Sequence, residues 1–152
     1  MRRIIFILSS LLLLTACGGN DKQKGAEDLL QQAQSLYEQS QYSEAKACID
    51  SLRKLYPNAI DARKKALRLG WEIELKEAQD ELAITDSLLQ QVQHDFERQQ
   101  TKVEKDKAEL RATPEELTML TRTRMKRDSL RTQCEVLGAK IRYIHKKQKD
   151  QP

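Results

Sequence analysis

The chain has 152 residues, of which 33% are charged, 5% are aromatic and five are glycine. This composition is too poor in bulky and turn-forming residues for a compact sheet-based core, and its wealth of Leu, Ala, Glu, Lys, Gln and Arg is typical of long helices and coiled coils. We therefore predict an all-α fold with narrow apolar seams. Apart from Arg2 and Arg3, 25 basic residues stand against 23 acidic ones. That balance gives no argument for nucleic-acid binding, which needs a basic stripe.

The first segment of the chain has the pattern of a signal peptide. Arg2 and Arg3 precede an apolar run from Ile4 to Leu14, which is too short for a transmembrane helix. The sequence Leu14-Thr15-Ala16-Cys17 resembles the lipobox of bacterial lipoproteins. The resemblance implies a signal peptide over residues 1–16 and lipidation at Cys17, which would become the mature N-terminus and attach the protein to a membrane.

The residue after Cys17 bears on which membrane receives the protein. Gly18 stands where the inner-membrane retention signal of enteric lipoproteins has an aspartate. We therefore expect an outer-membrane lipoprotein that faces the periplasm, and display on the cell surface stays open as an alternative.

The next two segments differ in their apolar content. Residues 18–25 contain no apolar side chain, so residues 17–25 are predicted to form the lipidated cysteine and a flexible tether. Residues 26–57 predict two short amphipathic helices, because apolar side chains recur at helical spacing. These side chains are Leu29, Ala33, Leu36 and Tyr37 in the first helix and Ala45, Ile49, Leu52 and Leu55 in the second.

This helix pair resembles a single tetratricopeptide repeat. Two positions depart from that family's pattern: Gln32 replaces a usual leucine, and Ser40 replaces the turn glycine. Because stacked repeats need neighbours to bury their faces, one copy does not predict the peptide-binding groove of long arrays. A plain helical hairpin remains an equal alternative. The positions that match the repeat in order and spacing are Leu29, Ala33, Leu36, Tyr42, Ala45, Ile49 and Pro57.

Residues 58–150 carry the seven-residue periodicity of a coiled coil. We predict a long helix that ends near Arg111, a turn near residues 112–114, and a second helix that starts with Thr113 as its cap and Pro114 in its first turn. The first helix has the series Leu75, Leu82, Leu89, Phe96, Val103 and Leu110 and the series Ala78, Thr85, Val92, Gln99 and Asp106. The second helix has the series Leu120, Arg127, Cys134 and Ile141 and the series Thr123, Leu130, Leu137 and Ile144.

We interpret these two helices as an antiparallel hairpin joined by a short loop, in which residue i faces roughly residue 226 − i. This register places Gln99 against Arg127 and Asp106 against Leu120, so the seam is predicted to turn polar toward the tip. The base of the long helix, near Leu67 and Trp71, is expected to be covered by the preceding helix pair.

The sequence offers little for catalysis. His94 and His145 have no partner at metal-ligand spacing, and no phosphate-binding loop or nucleophile motif is present. Cys48 and Cys134 fall on apolar helix positions, where free thiols pack as small hydrophobes. We therefore predict no enzyme activity, no cofactor, no metal site and no small-molecule substrate. A periplasmic dithiol formed by Cys48 and Cys134 is a distant alternative.

Two functions remain open. The first is a membrane-anchored scaffold or adaptor that binds an unidentified envelope protein. The second is a subunit of an envelope assembly or transport complex, whose hairpin contacts a channel or a secreted substrate. In either case Leu117, Met119 and Met125, which lie near the tip and are little used by the seam, are the candidate partner-binding residues. A register-fixing role for the polar tip is the competing interpretation.

Overall fold

A computed structural model describes residues 20–150 of the chain, with side chains from residue 22. Within the described part, helices are the only regular elements and no strand is present. Its elements are α1 (Asn20–Glu38), α2 (Tyr42–Leu55), α3 (Ile60–Ala108) and α4 (Pro114–Lys149), so the predicted all-α class is confirmed. The predicted signal peptide and Cys17 lie outside the described residues. The chain divides into two compact units, Met1–Ile73 and Glu74–Pro152.

In the first unit, α1 and α2 pack in antiparallel fashion. At one end the rings of Tyr37 and Tyr42 lie 6.2 Å apart across the turn, and at the other end Gly25 lies against Tyr56. Ser40 occupies the turn with a φ of 60°, a left-handed conformation that glycine adopts most easily at a helix end. The observed hairpin suits the repeat resemblance, which itself remains a prediction.

The core of this unit is built mainly from alanine. Six of its ten buried residues are alanines, and three of those six belong to residues 59–66. The small side chains let helix backbones approach closely, since interaxial distance depends on the side chains at the contact. The buried set is Ala26, Ala33, Ala45, Ile49, Leu52, Ala59, Ala62, Ala66, Leu69 and Ile73.

Three details of the first unit differ from the sequence-based expectation. α1 begins at Asn20, so the prediction of a flexible tether is wrong for residues 20–25. That stretch contains no proline, and its one glycine, Gly25, leaves the space that the Tyr56 ring fills: a Cβ there would lie 2.8 Å from Cζ of Tyr56. Leu55 and Leu67 were expected on buried faces but are exposed. The face of α3 that packs in this unit is instead the one that carries its alanines, Leu69 and Ile73.

In the second unit, the residues of α3 and α4 that are shielded from solvent follow the seven-residue series. Every predicted seam position is buried or partly buried, with one exception. Leu110 is 95% exposed, because α3 ends at Ala108 and Leu110 adopts a φ of 58°. The N–H groups of Arg111 and Ala112 then both donate to the Asp106 carbonyl, at 2.7 and 3.1 Å.

The predicted start of α4 is confirmed. The Thr113 hydroxyl accepts from the Glu116 N–H at 3.2 Å, and a Glu116 carboxylate oxygen accepts from the Thr113 N–H at 3.1 Å. With Pro114 in the first turn, this is a complete capping box.

The register of the hairpin differs from the predicted one. Because α3 ends at Ala108 and α4 starts at Pro114, the turn is centred near residue 111, and facing residues have numbers that total about 222. This pairing puts the buried Thr85 opposite the buried Leu137, and the buried Ala78 opposite the buried Ile144. The predicted total of 226 is therefore wrong by about one helical turn.

Candidate functional site

The tip of the hairpin is held by an ionic network that crosses from α3 to α4. The Lys102 ammonium donates to the Glu116 carboxylate on α4 and lies 3.6 Å from Asp106 on its own helix. Arg111 lies 3.5 Å from the other Asp106 oxygen. Asp106, which was predicted to face Leu120, is thus satisfied by cations of α3 and of the turn.

This network moves the pKa of both cross-helix partners. The hydrogen bond from Lys102 holds the pKa of Glu116 below its usual value, with help from the Thr113 N–H. The same bond with Glu116 raises the pKa of Lys102. Glu116 thus both caps α4 and joins it to α3, so one carboxylate fixes the beginning of the returning helix.

Next to the network, the polar seam residues Arg127 and Gln99 have other surroundings than the predicted ones. The Arg127 guanidinium lies 4.2 Å from the centre of the Phe96 ring, a cation–π arrangement, and it bonds Asp128 at 2.6 Å, which lowers the pKa of that carboxyl. Arg127 was predicted to face Gln99. Instead the Gln99 Oε1 is buried without a hydrogen-bond partner, a state that costs stability.

The three predicted partner-binding residues are all exposed. Met119 is 60% exposed and Met125 is 68% exposed, whereas Leu117 is only 37% exposed. They do not share one face, because a helix turns about 100° per residue. Leu117 and Met125 are about 80° apart around α4, and Met119 lies at least about 120° from either. The structure thus presents Leu117 with Met125 on one side and Met119 alone on another.

Leu110 is a fourth exposed apolar side chain of the tip, and it was placed in the seam by the sequence pattern. The seven-residue spacing gave no sign of its exposure, since the spacing continues through it. A shallow groove lies nearby between α3 and α4. Its walls include Phe96, Val103, Lys107, Leu120 and Arg124.

The described residues include two histidines and two cysteines. His94 and His145 are exposed, and among the side chains of residues 22–150 no three His, Cys, Asp or Glu groups are placed to hold a metal ion. Cys48 and Cys134 are half-buried and have free thiols. Within the same part of the chain, no helix is both long enough and apolar enough to span a membrane.

A charged surface in the first unit escaped the sequence analysis. Residues 53–68 contain six basic side chains and one carboxylate, that of Asp61. The cluster is visible in the sequence as a run of Lys and Arg, but it is diluted in a chain whose overall charge is nearly balanced.

Comparison with known proteins bears on the beginning of the chain. No curated protein and no solved structure matches the chain. Residues 1–17 match the family model of the prokaryotic membrane lipoprotein lipid attachment site, and the matched segment ends on Cys17. The chain is therefore a bacterial lipoprotein, held in the cell envelope by a membrane lipid anchor.

Proposed function

We propose that this lipoprotein is a non-enzymatic scaffold or adaptor, whose hairpin tip binds another envelope protein. The observation that carries the proposal is the exposure of Leu110, Met119 and Met125 on different sides of a tip whose turn is held by a capping box. A few side chains that become buried at the centre of an interface supply most of its binding energy. Methionine suits such contacts, because its flexible thioether adapts to a partner surface.

The contacts that hold the turn support this proposal. The capping box at Thr113 and the Lys102–Glu116 bond hold the start of α4 against α3. A preorganised surface loses less conformational entropy on binding than a flexible one does. The tip thus combines apolar contact atoms with a support that does not have to be ordered by the partner.

The proposal is tested by photo-crosslinking in the membranes in which the lipidated protein is made. A crosslinking amino acid replaces Met119 or Met125 in turn, and replaces Val136 as the matched control, since Val136 is 62% exposed on the same helix but far from the tip. We expect one discrete protein adduct from the two methionine positions and none from Val136. Adducts from Val136 alone, or from no position, would refute tip binding.

A second test asks whether reach matters. Deleting residues 85–91 and 131–137 removes seven residues from each helix at the same level of the hairpin, so the remaining seam positions stay in phase. The tip is left intact and moves by roughly 10 Å, at 1.5 Å per residue. For a spacer we expect the shortened protein to remain helical and lipidated but to lose its crosslink to the partner. An unchanged crosslink would show that distance has no part in the function.

We further propose that the lipid is attached to Cys17 and that the protein resides in the outer membrane, facing the periplasm. Radiolabelled palmitate should enter the wild-type chain and not Cys17→Ala. The labelled protein should separate with outer-membrane fractions and should resist protease added to whole cells. Equal labelling of both chains would refute lipidation at Cys17, and digestion in whole cells would indicate surface display.

A further inference from the structure

The corner where α2 ends and α3 begins has an unusual mixture of exposed apolar and basic side chains. Leu55 and Ile60 flank the turn and are 64% and 63% exposed. A shallow groove beside them is lined by basic and aliphatic residues together. We call this surface the basic-apolar corner; it comprises Arg53, Leu55, Ile60, Arg63, Lys64 and Leu67.

The positive charge of this corner is largely uncompensated. Arg53 lies 3.7 Å from Asp50, with both side chains substantially exposed, and exposed pairs of this kind are weak. Arg63 donates to the Pro57 carbonyl at 2.7 Å, which positions its guanidinium but leaves its charge. Asp61 is the sole carboxylate among residues 53–68. The corner therefore attracts anions while offering aliphatic side chains to an apolar phase.

The corner also lies at the anchored end of its unit. The Gly25 backbone packs against the Tyr56 ring, and Lys22 and Gln23 line a cleft together with residues 55–59. The lipid attachment match ends at residue 17, three residues before the first residue of α1. Three residues span at most about 11 Å, so the anchor cannot carry the beginning of α1, or the corner beside it, far from the bilayer.

We propose that the basic-apolar corner docks on the anionic phospholipid surface of the leaflet that holds the anchor. An acyl anchor and a polybasic surface act together at membranes, and each Lys or Arg near an anionic surface strengthens association about fivefold. The stems of Lys and Arg cover apolar surface while their charges reach the headgroups, and Ile60 and Leu55 enter the acyl boundary. The short tether favours lipid over a protein partner, because it keeps the corner at a high effective concentration beside the bilayer.

The test uses the lipidated full-length mature protein, reconstituted in phosphatidylcholine vesicles with or without one-third phosphatidylglycerol. An environment-sensitive dye is attached to a cysteine in place of Ile60 or, as the matched control, in place of Ile84, which is 64% exposed. The two native thiols, Cys48 and Cys134, are replaced by alanine. We expect the dye at position 60 to report an apolar environment only in the anionic vesicles, and less so at high salt. The dye at position 84 should report water in both.

A charge variant separates electrostatic docking from insertion of the dye itself. Arg53→Gln with Lys64→Gln should lower the docked-to-undocked ratio on the order of 25-fold, from about fivefold per charge. Lys126→Gln with Lys140→Gln, two exposed positions on α4, should leave it unchanged, and circular dichroism should show equal helicity for both variants. No protein partner is present, so the result is independent of the hairpin tip.

Three results would overturn the proposal. The first is an aqueous signal at position 60 in both lipid mixtures. The second is an equal apolar signal in neutral and anionic vesicles, since charge would then play no part. The third is equal behaviour of positions 60 and 84, which would indicate general adsorption and not docking of this corner.

Discussion

Replacing Gln99, a partly buried residue of the seam, by leucine should stabilise the hairpin. The Gln99 Oε1 is buried and accepts no hydrogen bond, and a buried polar atom without a partner costs about 1–3 kcal/mol. Leucine removes this cost and continues the apolar series of α3 at the same position. We therefore expect the free energy of unfolding of the hairpin to increase by about 1–3 kcal/mol.

The measurement must isolate the hairpin, because a chain with two compact units need not unfold in one step. Native-state hydrogen exchange resolves the two units, and protection of the slowest amides in α3 and α4 should rise by about 5- to 150-fold, at 1.4 kcal/mol per tenfold. Gln91→Leu is the matched control. Gln91 is exposed on the same helix, and surface substitutions usually change stability by less than about 0.5 kcal/mol.

Equal protection in Gln99→Leu and Gln91→Leu would refute the reasoning, because it would show that the Gln99 amide is satisfied in solution. A loss of protection in Gln99→Leu would refute it more strongly. It would mean that the amide contributes to the register, as a polar seam residue does in some coiled coils, and that leucine allows competing pairings.

Three further predictions concern the hairpin register, the Gly25 packing and the Glu116 carboxyl. Leu89→Cys should form a disulfide with the native Cys134, because a pairing total of about 222 brings these positions opposite each other; the adduct is detected by mass spectrometry after proteolysis. Gly25→Ala should destabilise the first unit by less than about 2 kcal/mol, because overpacking against the end of the Tyr56 side chain costs about 1–3 kcal/mol and the higher helix propensity of alanine offsets about 1 kcal/mol of it; hydrogen exchange of the α1 and α2 amides measures the difference. The pKa of Glu116 is held low, so the stability that its carboxylate gives to the start of α4 is present above the ordinary carboxyl pKa and is lost as pH falls through the lowered pKa. NMR titration should show the pKa of Glu116 below that of an exposed glutamate.

Each of these has a matched control. Val92→Cys, which the register of 226 would place on Cys134, should form no disulfide, and the reverse result would restore that register. Gly25→Ala should be rescued in part by Tyr56→Leu, and a failure of rescue would mean that the ring is not the obstacle. Lys102→Met should return the pKa of Glu116 toward its ordinary value, since Lys102 is the largest cause of the shift. An unchanged pKa would assign the shift to the Thr113 N–H.

Features that depend on local or periodic residue patterns, such as a helix start or a seam, could be predicted from the sequence. Features that depend on how the chain turns back between α3 and α4 could not. The start of α4 was predicted because Thr113, Pro114 and Glu116 act on one turn of backbone. The seam was predicted because burial repeats with the heptad. The end of α3 was not, because it depends on the Asp106 carbonyl accepting from two N–H groups after the chain has turned.

The register error has the same origin. The two registers, in which the numbers of facing residues total 222 or 226, differ by about half a heptad. In both registers an apolar series of α3 lies along an apolar series of α4. Only the length of the turn distinguishes them, and that length depends on where Leu110 leaves the helix. At the candidate site, the exposure of Met119 and Met125 could be predicted from the seam. The contact of Arg127 with Phe96 could not, because it depends on the register.

The alanine-rich core of the first unit determines how this protein can change over evolutionary time. Helices packed through alanine leave no room for a larger side chain, and overpacking a filled core costs about 1–3 kcal/mol. The residues before Ile73 can therefore drift mainly on their outer faces. The hairpin obeys a different rule, because α3 and α4 can gain or lose seven residues each without changing which side chains meet. Divergent versions of this lipoprotein should accordingly differ in length beyond residue 73 and, before it, in surface residues outside the basic-apolar corner.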